Sequence, residues 1–297
     1  MLRVPAPAKI NLFLHVGERR ADGYHALESL VCFAAIGDEL RLAPAEALTL
    51  SIEGPFAREL ESNADNLILK AARALALRTG CRAGAALTLV KNLPVASGIG
   101  GGSADAAAVL RGLSKLWNLG LEDSRLHEIA LSLGSDVPVC LKSVPALMEG
   151  RGERVTAVGA LPLAPMLLVN PGVAVSTAEV FRRLGRTASD RLEAAPAPPG
   201  SGWGGGSLPP ALLDYLARTR NDLETPAREG VPAIGTVLDA LARRGAALAR
   251  MCGSGATCYA LFADDAAAAK VADAIAAAHP EWWVAATRIA PPDIAEA

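Results

Sequence analysis

The sequence predicts an α+β protein of two domains, and three observations carry that reading. An apolar run, a glycine cluster and an alanine-rich amphipathic run follow one another over residues 86–117, as strand, loop and helix. A second series, a glycine turn running into a strand, then a helix and a strand, occupies 251–289. Residues 185–210, between these two series, are rich in Pro, Gly and Ser, and a chain of 297 residues is long enough for two cores.

Residues 8–16 alternate. Ala8, Ile10, Leu12, Leu14 and Val16 point one way, and Lys9, Asn11, Phe13 and His15 the other, which predicts a half-buried strand. Lys9 and Asn11 then share one face; a solvated face is the plain reading of such a pair, but at the start of the strand loops from elsewhere can reach them. Asp22-Gly23 marks a turn, with the rings of Tyr24 and His25 directly behind it. That is either a hairpin tip or a ligand contact, and the scarcity of aromatic residues in this chain tilts the reading to the contact. Residues 28–54 read as two or three strands. Residues 66–75 read as a helix capped by Asp65 or Asn63 and ended near Gly80.

In the stretch Leu93–Ala107, four glycines fall within five residues, between the strand 86–90 and the helix that runs to about Trp117. Glycines let a backbone turn sharply and approach a ligand closely. A helix start adds free N–H groups and the positive end of a dipole, so the combination favours a phosphate site over a simple turn. No Gly-Lys-Ser/Thr closes it, which excludes a Walker A loop. Ser103 takes the third glycine position of a dinucleotide fingerprint, which argues against that class. The loop alone does not say which nucleotide it holds.

A helix follows through about Leu133, with Gly134 as its stop. Asp136, two residues before Pro138, reads first as a turn or cap residue. Phosphoryl transfer to an alcohol, however, needs a carboxylate near the hydroxyl and a cation near the phosphate, and Asp136 and Lys9 are candidates for those parts. Glu149–Gly152 reads as a hairpin turn near the end of the first domain. Met166–Pro171 reads as a buried strand ending in a turn, and Ser176–Phe181 as a capped helix start. The stretch 185–210 lacks the apolar periodicity to pack, and Trp203 within it is unexplained. Helical stretches open at Asn221 and over 234–245; Gly253-Ser254-Gly255 turns into a strand, followed by a helix over 266–278 and a strand over 282–289.

The formal net charge of −2 carries no basic patch, so nucleic acid is not expected as a partner. The N-terminus lacks a secretory apolar core, and no apolar run reaches the roughly 18 residues of a membrane span. The five cysteines form no CxxC pair, which fits reduced thiols and a cytoplasmic location.

Pro94-Val95-Ala96-Ser97-Gly98-Ile99-Gly100-Gly101-Gly102-Ser103-Ala104 resembles the phosphate loop of the GHMP superfamily of galactokinase, homoserine kinase, mevalonate kinase and phosphomevalonate kinase. Ala8-Lys9-Ile10-Asn11-Leu12, Asp22-Gly23-Tyr24-His25, Gly134-Ser135-Asp136-Val137-Pro138 and Gly253-Ser254-Gly255-Ala256 narrow the resemblance to its kinases of a cytidine-diphosphate-linked methylerythritol. The match runs from about residue 5 to 290. It implies a two-domain GHMP kinase fold: a ribosomal-protein-S5-like, ATP-binding domain over 1–155 and an α+β substrate-binding domain over 156–297, with 185–210 as a flexible insertion.

The resemblance further implies ATP-dependent phosphorylation of the 2-hydroxyl of that small molecule, in non-mevalonate isoprenoid synthesis, with Mg²⁺ as cofactor and its ligands left open. Asp136 would be the base and Lys9 its partner. The loop from Pro94 to Ala104 would hold the ATP phosphates, and Asn66 would lie near the adenine. Asn11 would contact substrate, Tyr24 and Phe181 would sandwich the cytosine, and His25 would bond its edge. Asp105 stands where many relatives carry Asn; its carboxylate could serve Mg²⁺. Two other readings compete: a sister kinase of mevalonate or homoserine, which has no use for a cytosine clamp, and a nucleotide-binding module without catalysis, which needs no Lys9–Asp136 pair.

Overall fold

The computed structural model describes all residues except 64, 200, 201, 293, 296 and 297. Its first half is built on a seven-stranded sheet of β1 (Leu2–Asn11), β2 (His15–Arg19), β3 (His25–Ala45), β4 (Leu48–Glu53), β5 (Gly84–Val90), β6 (Ala146–Gly150) and β7 (Arg154–Ala157). The order is β4-β5-β3-β6-β7, with β1 and β2 also paired to β3. Only the β4–β5 pair is parallel. The helices α1 (Leu67–Thr79), α2 (Gly101–Leu116), α3 (Asp123–Leu133) and α4 (Val137–Lys142) belong to this half.

The second half holds β8 (Pro165–Asn170), α5 (Thr177–Leu184), α6 (Pro210–Ala217), α7 (Glu224–Gly230), α8 (Pro232–Ala242), β9 (Leu248–Met251), β10 (Cys258–Leu261), α9 (Asp265–Ala278) and β11 (Trp283–Arg288). Its four strands form an antiparallel sheet of order β11-β8-β10-β9. The α+β expectation therefore holds for both halves. Among the described residues, no helix is long and apolar enough to cross a membrane.

β1 departs from the half-buried strand expected over 8–16. Regular pairing stops at Asn11 and resumes at His15, and from Ala6 to Asn11 every residue is buried. Both faces are covered because α2 packs on β1 while Leu12 meets the second half, its carbonyl accepting hydrogen bonds from Arg250 Nη1 and Tyr259 Oη at 2.6 Å each. Ile10, Leu12 and Phe13 share one core cluster with Met166, Leu168 and Tyr259, so the two halves meet through apolar contact.

The stretch 185–210 also needs correction. Trp203 is only 2% exposed and meets Tyr215 edge-on at 5.4 Å. Residues before it are tied down as well: Glu193 O faces His15 Nδ1 at 2.8 Å, and Ala195 N donates to Glu28 Oε2 at 2.8 Å. Backbone groups in extended chain can be satisfied by scattered side chains, so the absence of periodicity does not prevent packing; positions 200 and 201 lie outside the described residues. The expected boundary at 155 and 156 falls inside β7, and the chain beyond β11 returns to the first sheet, Ala290 N donating to Phe33 O at 2.7 Å.

Candidate active site

The phosphate loop leaves β5, turns at Gly98 and Gly100, and enters α2 at Gly101. Gly100 caps the helix with a positive φ of 64° and no side chain, so the first N–H groups of α2 are left for a ligand. The loop is held from below by β1, Lys9 N donating to Ile99 O at 2.9 Å. It is held from the side by the second glycine turn, Thr257 N donating to Ser97 O at 3.1 Å. At Gly98 a Cβ would lie 2.6 Å from the carbonyl oxygen of Gly255, so this position must be glycine for the two turns to touch.

Lys9 Nζ lies 2.7 Å from Asp136 Oδ2. Asp136 sits at the N-cap position of α4 but makes no capping bond, which leaves its carboxylate for Lys9 and for the cleft. The Lys9 side chain is 3% exposed and that of Asp136 35%. Burial works against the Lys9 charge, yet the Asp136 carboxylate outweighs it and the net direction is upward. Burial pushes the neighbouring thiols of Cys252 and Cys140 up to about 11 and about 12, so they stay protonated at neutral pH.

A cleft of about 1460 Å³ brings the candidates together. Lys9, Asn11, Tyr24, His25, Asn66, Asp136 and Phe181 all line it, as do Pro94 to Gly98 and Gly100 to Ser103. Ile99 and Ala104 do not; they are 0% and 1% exposed and belong to the core. Asn11 Nδ2 donates to Ser29 Oγ at 2.8 Å. Asn66 is the cap of α1, where Asp65 or Asn63 was expected, its Oδ1 accepting from Ile68 N at 3.0 Å. Tyr24 is half exposed, with the Arg151 guanidinium 5.3 Å from its ring. The His25 ring stacks on Phe181 at 5.0 Å with 24° between planes, and burial lowers its pKa.

Asp105 lines the cleft, but its carboxylate is taken up by an ion pair rather than left open to a metal. It is 3% exposed and its Oδ2 accepts from Lys91 Nζ at 2.9 Å. Among the described residues no group of three His, Cys, Asp or Glu is placed to hold a metal ion. The residues present therefore do not form a protein cage for Mg²⁺.

Several cleft residues had no signal in the sequence. Lys91 follows a strand like any flanking lysine, and Arg19, Arg151, Arg182 and Arg186 reach the rim from separate elements. Of these only the pairs Arg19-Arg20 and Arg182-Arg183, the latter with Arg186 close behind, are visible concentrations of charge.

A phosphate loop opening a buried helix, facing an ion-paired carboxylate and completed by an α+β second half, places the chain in the GHMP kinase class. Residues 66–143 match the family model of the GHMP kinases N terminal domain, and 210–281 that of the GHMP kinases C terminal domain. The 4-diphosphocytidyl-2-C-methyl-D-erythritol kinase of Methylobacterium radiotolerans is 51% identical over 289 residues, covering 95% of this chain and 97% of that protein. That of Parvibaculum lavamentivorans is 50% identical over 94% of this chain and 95% of its own. A crystal structure of 4-(cytidine 5'-diphospho)-2C-methyl-D-erythritol kinase superposes with a TM-score of 0.77 at 31% identity, covering 98% of this chain and 100% of that one. The chain belongs to the 4-diphosphocytidyl-2-C-methyl-D-erythritol kinase family. Homoserine kinase from Cytophaga hutchinsonii shares the fold at a TM-score of 0.66, with 18% identity.

Proposed function

We propose that this chain transfers the γ-phosphoryl group of ATP to the 2-hydroxyl of 4-diphosphocytidyl-2-C-methyl-D-erythritol, a step of non-mevalonate isoprenoid synthesis. The observation that carries the reading is the Lys9–Asp136 pair at 2.7 Å, in one cleft with the phosphate loop and the Tyr24-His25 turn. Asp136 takes the hydroxyl proton as the oxygen attacks the γ-phosphorus. The bond from that phosphorus to the β–γ bridging oxygen breaks, and ADP leaves. Lys9, its ammonium 2.7 Å from Asp136, fixes the position of that carboxylate and orients the hydroxyl. The N–H groups at the start of α2 receive the phosphates, where the helix dipole favours negative charge. Asn66, which lines the cleft, would contact the adenine.

At the other end the cytosine stacks on Tyr24, and the His25–Phe181 stack forms the facing wall. His25, neutral at pH 7 because burial lowers its pKa, offers a ring nitrogen to the edge of the base. Asn11 borders the reacting end. Mg²⁺ bound to the nucleotide would neutralise charge on its phosphates. Five free thiols, four of them buried, fit an enzyme of a reducing compartment such as the cytoplasm.

Turnover of ATP with each candidate alcohol tests the reading. Phosphorylated product is expected with the cytidine-diphosphate-linked methylerythritol and none with mevalonate or homoserine. Comparable turnover of either of the latter refutes the assignment.

A further inference from the structure

Beneath the phosphate loop lie three buried charges that the chemistry above does not use. Asp38 on β3, Lys91 just beyond β5 and Asp105 on α2 are each at most 3% exposed. Lys91 Nζ donates to Asp38 Oδ2 at 2.5 Å and to Asp105 Oδ2 at 2.9 Å. The two carboxylates are not equivalent. Asp38 Oδ1 also accepts from the backbone N–H groups of Asn92 and Leu93, at 2.6 and 2.9 Å. Asp105 Oδ1 is buried and has no hydrogen-bond partner among the described residues.

A buried carboxylate oxygen without a partner is where a proton is most easily accommodated. Burial pushes Asp105 up to about 7; Asp38 adds to the rise and Lys91 opposes it. Other charged groups nearby are engaged elsewhere or neutral. Cys140 faces Asp105 from α4 as a thiol, raised by burial. Lys9 on β1 turns to Asp136, Lys70 on α1 to Asp65, and Arg111 on α2 to the carbonyls of Pro5, Cys140 and Leu141.

The triad touches the helix entrance itself. A Cβ on Gly101, the first residue of α2, would stand 3.0 Å from Lys91 Nζ and 3.6 Å from Asp38 Oδ2. With both aspartates ionised the triad carries one surplus negative charge directly under the N–H groups that face the cleft. That charge opposes an anion above it; a proton on Asp105 removes it.

We propose that Asp105 is a positioning residue for the nucleotide: within the Asp38–Lys91–Asp105 triad it supports the α2 entrance from below and takes up a proton as phosphate binds above. The inference rests on the nucleotide reading of the loop and deepens it. A bound anion raises the proton affinity of Asp105, so the complex holds a proton that the free protein has released above pH 7. Affinity therefore falls as pH rises above the free-protein titration, and it is level below it.

Calorimetric titration of the whole chain with ADP from pH 6 to 9, in wild type and Asp105→Asn, tests this. The ratio of wild-type to variant affinity cancels the protonation of ADP itself. It is expected to fall by about three- to tenfold between pH 7 and 8.5, within the limit of tenfold per pH unit for one linked proton. A purely structural role for Asp105 gives a ratio that is flat with pH, and a flat ratio overturns the proposal while leaving the nucleotide reading intact. A wild type that binds no ADP at any pH overturns both. Should Asp105→Asn not fold, proton counting on the wild type decides. Titrations at pH 8 in two buffers of different ionisation enthalpy should show uptake of about a third to two thirds of a proton, and no uptake overturns the proposal.

Discussion

Asp136→Asn isolates the chemistry from the architecture. Asn keeps the shape of the side chain but cannot accept the hydroxyl proton, and it leaves the buried Lys9 charge without its carboxylate at 2.7 Å. Loss of a positioned general base lowers kcat by about 10² to 10⁴, or about 2.7 to 5.4 kcal/mol of barrier. The stability cost lies between about 1 kcal/mol for an exposed pair and about 3 to 5 kcal/mol for a buried pair broken on one side. Asp136 is about a third exposed, which places the expected loss near 2 kcal/mol. The direction of the Lys9 shift gives this loss a pH signature. Its pKa is raised in the folded state, so the pairing contributes fully below the ordinary value of 10.5 and is lost as pH rises through the higher folded value. The stability difference between wild type and variant should thus be constant from pH 6 to 9 and shrink only above about pH 10.5. Single-turnover kinetics with ATP and the methylerythritol substrate measure the first effect, and urea unfolding across pH the second. ADP affinity should change less than about threefold, since the loop and α2 hold the phosphates without Asp136. A kcat within tenfold of wild type would remove Asp136 from the proton transfer and refute the mechanism.

The proposed cytosine contacts should separate into two functions. Tyr24→Ala should weaken every pyrimidine analogue by about 1 to 3 kcal/mol, because stacking tolerates any base. His25→Ala should narrow the preference for the cytidine over the uridine substrate, read as the ratio of their kcat/KM values; an unchanged ratio means that the turn does not read the base. Trp203→Ala should cost about 3 to 5 kcal/mol in urea unfolding, as for a large buried aromatic side chain, and a midpoint at the wild-type value would show that this stretch adds nothing to the core.

The parts of the fold that were legible in the sequence are those with a period or a punctuation mark. The apolar alternation of β5, the glycines before α2 and the Gly134 stop of α3 declare themselves locally. The strand β3 does not. Residues 28–54 read as two or three strands, yet β3 runs unbroken through Gly37 and Asp38, because Gly37 lets the backbone lie against the Ala6 carbonyl and Asp38 turns into an ion triad. Trp203 was unreadable for a related reason: its partner Tyr215 is on another element, and a lone aromatic residue among glycines has no period. Lys9 and Asp136 are 127 residues apart, and each alone is an ordinary strand lysine or cap aspartate. Only the joint presence of several short motifs pointed to their meeting. The Asp38–Lys91–Asp105 triad is beyond that kind of reading, since no motif of the chain names it and only three-dimensional closure puts the groups together.

The second glycine turn shows why the site needs both halves of the chain. By itself Gly253-Ser254-Gly255 is a turn into β10. In the structure a Cβ at Gly253 would lie 2.6 Å from the carbonyl oxygen of Gly98, and one at Gly98 2.6 Å from that of Gly255. The two turns therefore interlock with no room for a side chain on either. Asn221 Nδ2 donates to the carbonyls of Met251 and Gly253 at 2.8 Å each and fixes the second turn, while Thr177 Oγ1 meets Ser254 Oγ at 2.8 Å and ties it to the helix that carries Phe181. Lys9 N on β1 holds the first turn at Ile99. Two distant segments thus set the shape of the strand-to-helix loop: the first strand and the turn before β10. The same contacts run from the phosphate end of the cleft to Phe181 at its other end. On the proposed reading, a shift at Phe181 would reach the glycine loop through the Thr177–Ser254 side-chain contact and the two interlocked turns, and binding energy from a remote base would thereby position the reacting groups.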